Sequence, residues 1–308
     1  MIISEKLTII KTLSGLTQES LAKELRVSFA TLNSWINGKS QPQASKAARI
    51  DSALSKYAGI PAAQKETDLT KKIIIFAKAK KYKNILQFIL KRADIYDQLI
   101  LSLTYNTNRI EGSTFTEDET AAVIFRNETI PNKNVIEHLE VKNHQAAVKY
   151  LFERLQTGGI DEDLILKLHG ILMNGIRDDA GFYRRHGVRI VGANVPTANY
   201  LKVPELMTEI VREMNFKHSD IIAHAAAIHS KFEQVHPFAD GNGRIGRLLL
   251  AAMLLSHNLP PAVIEIKKKK FYLSYLRKSQ LMNESAPLED FVCDAILYGF
   301  KIIDFPFL

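Results

Sequence analysis

The sequence predicts a predominantly α-helical protein in two parts, a small N-terminal bundle and a larger helical core with one small β-hairpin. Three observations carry this. Apolar residues recur at helical spacing on both sides of a short Gly-rich loop, from about Asp220 to Phe232 and again through Ile245, Leu248, Leu249, Ala252 and Met253. The first 55 residues or so read as short helices separated by tight turns. Gly181-Phe-Tyr-Arg-Arg-His-Gly-Val-Arg-Ile-Val-Gly192, followed by Pro196, alternates β-branched residues between turn signals and reads as a hairpin.

At 308 residues, 46% hydrophobic and 24% charged, the composition is that of an ordinary soluble globular protein with room for a large and a small domain. No stretch approaches the roughly 20 apolar residues of a membrane span, and the longest candidate, around Leu248 to Leu255, is too short. The N-terminus has no compact apolar segment before a cleavage site, so no signal peptide and a cytoplasmic location are expected. The single cysteine, Cys293, excludes an intramolecular disulfide and reads as a small core residue. The net charge of +8 is uneven: residues 1–60 hold eight Lys/Arg against four Asp/Glu, and residues 61–100 nine against four. The remaining residues hold twenty-four against twenty-five, so a polyanion partner is expected at the N-terminal third.

Within residues 1–58, Thr17 is a candidate N-cap for a helix through Leu21, Ala22 and Leu25. Ser28 can cap the next helix, with Trp35 and Ile36 on its apolar side; Gly38 can end it left-handed, and Pro42 prevents a restart. The stretch Thr17–Pro42 resembles the phage-repressor (Cro-like) helix-turn-helix family. The resemblance implies that Ser28, Phe29, Thr31 and Asn33 face base edges, while Gln18, Asn37 and Lys39 approach phosphates. It also implies a homodimer reading two half-sites. The alternative is a small bundle used only for dimerisation or docking; polar residues on the second helix and the basic surround favour DNA. Residues 59–84 read as a basic linker, turn-rich from Gly59, with Lys71-Lys72 and the Lys78–Lys83 run on a solvated face. Residues 85–308 form the larger domain.

Its chemistry lies in Val235-His-Pro-Phe-Ala-Asp-Gly-Asn-Gly243. A loop with two glycines that opens a helix is an anion site, because the first helical N–H groups have no internal partners. Arg244 and Arg247 share a face at that end, where positive charge disfavours the helix, and a bound polyphosphate accounts for them. Asp240 offers a hard oxygen ligand suited to Mg²⁺ alongside phosphates. His236 is the loop's only group able to take a proton near neutral pH, and Phe238 can anchor the loop. Together these describe phosphoryl or nucleotidyl transfer. No Lys-Ser/Thr pair follows the glycines, so the loop is not of the Walker type. His138, His144, His224 and His229 lack zinc spacing and read as structural.

His236, Phe238, Asp240, Gly241, Asn242, Gly243, Arg244 and Arg247 match the Fic family motif H-x-F-x-D/E-G-N-G-R-x-x-R at every fixed position. The resemblance covers about residues 95–300. It implies that His236 deprotonates a Ser, Thr or Tyr hydroxyl of a target protein, the target including this chain itself, and that the oxygen attacks the α-phosphorus of ATP. Asp240 would hold Mg²⁺, Gly241, Asn242 and Gly243 would cradle phosphates, Arg244 would neutralise the pyrophosphate side, and Arg247 would reach the γ-phosphate. Val188, Arg189, Ile190 and Val191 resemble the flap that pins a target segment, and Tyr272 and Asn283 resemble positions around the adenosine. Thr107-Asn-Arg-Ile-Glu111-Gly112 resembles the family's N-terminal inhibitory motif, implying that Glu111 pairs with Arg247. A DNA-binding regulator that senses nucleotide, removal of AMP by the same site, and another nucleotide or phosphocholine donor stand as alternatives, the last disfavoured by the two arginines and Asp240.

Overall fold

The computed structural model describes residues 3–58, 66–190 and 195–304. The chain divides into two units, Met1–Lys83 and Asn84–Leu308.

In the first unit, α1 (Ile3–Ser14), α2 (Gln18–Glu24), α3 (Phe29–Ile36) and α4 (Ala44–Ala58) are followed by α5 (Glu66–Ala79). Leu7, Ile10, Leu21, Leu32 and Ile50 are fully buried in one cluster with Leu25 and Trp35, each stabilising the unit by about 1.5–3 kcal/mol relative to exposure. The Thr17 side chain caps α2 by accepting from the Ser20 N–H, and Ser28 caps α3 by accepting from the Thr31 N–H. The turn between them uses Arg26 at φ 55, a left-handed residue that no glycine announced. Gly38 takes φ 68 just past α3.

The segment expected as a linker departs from that expectation. Residues 59–65 lie outside the described residues, but Glu66–Ala79 is helical, and Lys72, expected on a solvated face, is 1% exposed. Ile73 and Ile75 beside it are buried too. The apolar run Ile73-Ile-Ile-Phe76 requires cover, and burying it carries its neighbour inward.

The second unit contains α6 (Ile85–Leu90), α7 (Ala93–Glu111), α8 (Glu117–Ala121, running into a π-helical turn Ala122–Arg126), α9 (Val135–Thr157) and α10 (Glu162–Leu172). After the 181–199 loop come α11 (Val203–Met214), α12 (Ile221–Val235), α13 (Asn242–Ser256), α14 (Lys269–Met282) and α15 (Ala286–Asp304). The α12–α13 pair is the centre. Helices α7, α9 and α10 pack on α13, and α11, α14 and α15 pack on α12. Every residue from Arg244 to Leu255 is buried, the pattern of a helix enclosed on all sides. Thus the longest apolar run is a core helix, and among the described residues no helix is long and apolar enough to cross a membrane. Cys293 is fully buried in α15.

The expected β-hairpin is not seen: no strand occurs among the described residues. Val191 lies outside them. Two isolated strands are marginal without a third to pair with, and the described arms meet instead through the Thr197 hydroxyl, which donates to the Val188 carbonyl at 2.8 Å.

Candidate active site

Asp220 caps α12 by accepting from the Ala223 N–H, and the helix ends at His236, whose φ of 53 and ψ of 60 are left-handed. Holding a non-glycine residue there costs about 1–3 kcal/mol and marks a position the surroundings impose. The imposing group is Arg184. Its guanidinium, 3% exposed, donates to the carbonyls of His236 (2.7 Å), Val235 (3.3 Å), His186 (2.8 Å) and Ala198 (2.6 Å), and its backbone N–H donates to Pro237 (3.0 Å). The His236 Nδ1 lies 3.2 Å from the Glu233 carbonyl, which can only accept, so Nδ1 carries the hydrogen and Nε2 keeps its lone pair. Burial lowers the His236 pKa, partly opposed by that hydrogen bond, so the imidazole is neutral at pH 7.

Phe238 is fully buried, with its ring stacked on His169 at a centroid distance of 3.8 Å. His169 accepts from the Gly181 N–H at Nδ1 and therefore donates from Nε2 to the Asp240 carbonyl at 3.1 Å. Burial drives its pKa down to about 4, so it stays neutral. Asn242 closes the loop on itself, accepting from the Phe238 N–H and donating to the Phe238 carbonyl, both at 2.9 Å. Its side chain is thereby committed, leaving only its N–H for a ligand. Gly241, at φ 77, is the N-cap of α13, a conformation a side chain would strain.

The two arginines differ. Arg244 is 3% exposed, bonds Glu140 of α9 at 2.8 Å and lies 3.8 Å from Asp240, itself 56% exposed. Arg247 donates from Nε to the Thr107 hydroxyl at 3.0 Å and from Nη2 to Glu111 Oε1 at 2.5 Å. Glu111 is the last residue of α7, which Gly112 ends at φ 112. Its carboxylate lies against Gly243, so close that a Cβ there would come 2.5 Å from Oε1. Glu111 thus lies at the N-terminus of α13, where the first helical N–H groups favour negative charge. Burial raises its pKa, but the charge and hydrogen bond of Arg247, with Arg244 and Lys269 behind, override this and hold the carboxyl below its usual range.

A cleft of ≈ 590 Å³ is lined by Glu111, Ile190, Glu233, His236, Gly243 and Arg247 on one side and by α14 from Lys269 to Gln280 on the other. Tyr272 lines it while 1% exposed. Its hydroxyl lies 2.8 Å from His229 Nε2, and since His229 Nδ1 must donate to the Gly246 carbonyl, the tyrosine donates. His144 bonds Thr104, and His138 and His224 bond backbone groups. Of the predicted residues, His236, Gly243, Arg247, Tyr272, Glu111 and Ile190 meet in the cleft. Phe238, Gly241, Asn242 and Arg244 build the loop behind it, and Thr107 stands behind Arg247. Val188 and Arg189 lie on the loop leading to Ile190. Asn283 is not brought in: it is exposed, a left-handed cap ending α14 at φ 58, and Gln280 lines the cleft one turn earlier.

Sequence reasoning passed over Arg184, His169, Glu140 and Glu233. Glu233 is 6% exposed, and its Oε1 has no hydrogen-bond partner among the described residues; burial pushes its carboxyl up to about 7. In the first unit, Ser28, Phe29, Asn33 and Lys39 are exposed and Gln18 and Thr31 half-buried. Ser28 and Thr31 hydroxyls bond each other at 2.8 Å, and Asn37 donates to Asn33 at 2.9 Å.

His236, held neutral, and the Gly243–Arg247 corner against which Glu111 rests thus share one cleft of an all-helical unit. Residues 159–254 match the Fic/DOC family and residues 9–57 match the helix-turn-helix family. The chain thus carries a Fic/DOC-family domain behind a helix-turn-helix domain. It is similar to the protein adenylyltransferase Fic of Nematostella vectensis, 33% identical over 185 residues, covering 57% of this chain and 42% of that one. The protein of the same name from Drosophila melanogaster is 31% identical over 197 residues, covering 62% and 39%. The chain spans about two fifths of the length of these relatives. A Fic domain-containing signaling protein from Bacteroides thetaiotaomicron shares the fold with a TM-score of 0.65 at 23% identity, covering 79% of this chain and 100% of that one. So does Fic-1 (residues 134–508) of C. elegans, with a TM-score of 0.62 at 20% identity, covering 97% and 96%.

Proposed function

We propose that this protein transfers AMP from ATP to a Ser, Thr or Tyr hydroxyl of a protein, and that Glu111 holds the reaction back. The observation that carries this reading is that a neutral imidazole with a lone pair on Nε2 shares one cleft with the Gly243–Arg247 anion seat. The adenylyltransferase relatives support the same chemistry.

His236 Nε2 takes the hydroxyl proton as the oxygen attacks the α-phosphorus of ATP. The bond from that phosphorus to the bridging oxygen breaks, pyrophosphate leaves with the electron pair, and the proton stays on His236. The N–H groups of Asn242 and Gly243 hold phosphate oxygens at the start of α13, with Gly241 joining when Asp240 releases its N–H, bonded now at 2.6 Å. Arg247 takes the γ-phosphate once Glu111 withdraws, and Arg244 offsets charge on the pyrophosphate side. Ile190, with Val188 and Arg189, steers the target segment, and Tyr272 shapes the nucleoside end. The exposed carboxylate of Asp240 fits a Mg²⁺ that takes its other ligands from phosphates and water, and such an ion would neutralise phosphate charge.

Incubating wild type, Glu111→Gly and His236→Ala with Mg²⁺ and α-labelled ATP tests the reading. Faint label on protein in wild type, strong label in Glu111→Gly and none in His236→Ala is expected. No label in any variant despite ATP binding refutes it and favours a second reading, a DNA-binding regulator that senses nucleotide. That alternative draws on the helix-turn-helix domain and on the occupied Arg247. The same carboxylate beside the anion seat also suits removal of AMP from a modified target, which loss of label from a pre-labelled protein would reveal. Binding of DNA by residues 1–58, as a homodimer, belongs to this proposal and is measured by the salt dependence of binding to duplex DNA.

A further inference from the structure

The cleft is bordered by two segments of one charge. Residues 101–308 hold twenty-four Lys/Arg and twenty-five Asp/Glu, yet nine of those cations fall in 181–190 and 267–282, which contain no acidic residue. The rest of that span is correspondingly acidic, so the basic character is concentrated at these two segments. Both reach the cleft, the first through Ile190 and the second through Lys269, Leu273 and Arg277. Lys267 and Lys268 pair with Glu265 at 2.5 and 3.8 Å. Arg185, Arg189, Lys269, Lys270, Arg277 and Lys278 make no ion pair among the described residues. On α14 Lys270 and Arg277 stand seven residues apart, so they share one face two turns apart and repel one another.

A triphosphate answers part of this charge, since Lys269 and Arg277 line the cleft. It does not answer Arg185, Arg189, Lys270 and Lys278, which are outside the lining. Arg185 and Arg189 belong to the loop that ends at Ile190, and Lys270 and Lys278 belong to α14, the two segments that border the cleft holding His236. The lining itself is apolar in places, with Leu273 45% exposed and Ile190 half-buried. Cations around a partly apolar cleft fit an acidic peptide, whose carboxylates pair with them while its apolar groups cover Leu273 and Ile190.

We propose that the segment presenting its hydroxyl to His236 is acidic, with Asp or Glu flanking the modified residue and seated between the 185–190 loop and α14. This rests on reading the cleft as an AMP-transfer site, and the test separates the two. Fluorescence polarisation compares labelled peptides of equal length, each with a central threonine flanked by Glu, Gln or Lys. The proteins are the wild-type chain and the Arg185→Ser/Arg189→Ser/Lys270→Ser/Lys278→Ser variant, with ATP binding measured on both.

The Glu peptide binds wild type about tenfold tighter than the Gln peptide. That advantage shrinks to within about twofold in the variant and as salt rises from roughly 50 to 300 mM. ATP affinity is unchanged in the variant, which shows that its fold and nucleotide site survive. Equal binding of Glu and Gln peptides overturns the proposal. So does a preference that survives in the variant, which puts the acidic site elsewhere, or a single-stranded oligonucleotide that displaces the Glu peptide from these residues at a tenth of its concentration. Transfer from α-labelled ATP by Glu111→Gly, run on the same peptides, gives label mainly on the Glu peptide. Equal label on all three refutes the acidic preference, whereas intact acidic binding with no label on any protein or peptide refutes AMP transfer alone.

Discussion

Replacing Glu111 by glycine removes one oxygen atom's hold on Arg247, and the geometry sets the size of the effect. Oε1 lies 2.5 Å from Nη2 of an arginine whose side chain is 7% exposed, a charge-assisted bond. Such bonds are worth about 1.5–3 kcal/mol net. The Glu111 side chain is 38% exposed, so water screens part of this and a value near 2 kcal/mol is appropriate. At 1.4 kcal/mol per decade that is about a 30-fold gain in free Arg247, and a similar gain in AMP transfer at low ATP. Glu111→Gln keeps an oxygen but loses the charge, and gains roughly three- to tenfold. Because Arg247 holds the carboxyl below its usual 4.5, acidification to pH 5 does not mimic either substitution. Label transfer at ATP concentrations below and above saturation measures the rate, and calorimetry on Glu111→Gly/His236→Ala measures ATP affinity without turnover. Unchanged rate and unchanged affinity in Glu111→Gly would refute the reasoning, since the only ion pair of Arg247 within the described residues would then be irrelevant to the nucleotide.

The other predictions probe different parts of the site. His236→Ala lowers label transfer by roughly 10²–10⁴-fold with ATP affinity retained; residual activity above a tenth of the Glu111→Gly rate, measured in that background, contradicts a base role. Arg184→Lys keeps the charge but loses the planar fork that holds four carbonyls, so kcat falls at least about tenfold while ATP affinity holds. A matched fall in ATP affinity would mean that the residue supports the whole domain instead. Glu233 stays protonated to about pH 7 in the folded chain but only to about 4.5 unfolded, so its contribution to stability is full below 4.5, declines as pH rises, and is lost above about 7. Urea melts of Glu233→Gln against wild type should show the variant gaining about 2–3 kcal/mol between pH 4.5 and 8, and a pH-independent difference contradicts the buried acid. Asn33→Ala relaxes DNA sequence preference, whereas Lys39→Ala weakens all duplexes alike and lowers the salt slope by about one, as titrations at several salt concentrations would record.

Much of this protein was legible in the residues alone. Helix caps at Thr17 and Ser28 and the helices flanking the Gly-rich loop follow from side chains acting within a few positions of themselves. Local hydrogen bonds and apolar period are short-range, so a linear reading captures them. The Glu111–Arg247 contact spans 136 residues and was anticipated only because two motifs were each recognisable. Where no motif spoke, the reading failed. Arg184 sat inside a segment read as a strand, yet its four carbonyl partners come from three places in the chain. Glu140 looked like any helix-surface acid until the fold put the buried Arg244 beside it. Asn283 suggested an adenosine contact and is an exposed helix end, while the plain Glu233 is the buried one. The sequence by itself determined the helices and the Gly-rich loop between them. Only the tertiary structure decided which charges are desolvated and which partners hold Arg184 and Arg244, because burial and Coulomb pairing depend on distances between segments that no local pattern encodes.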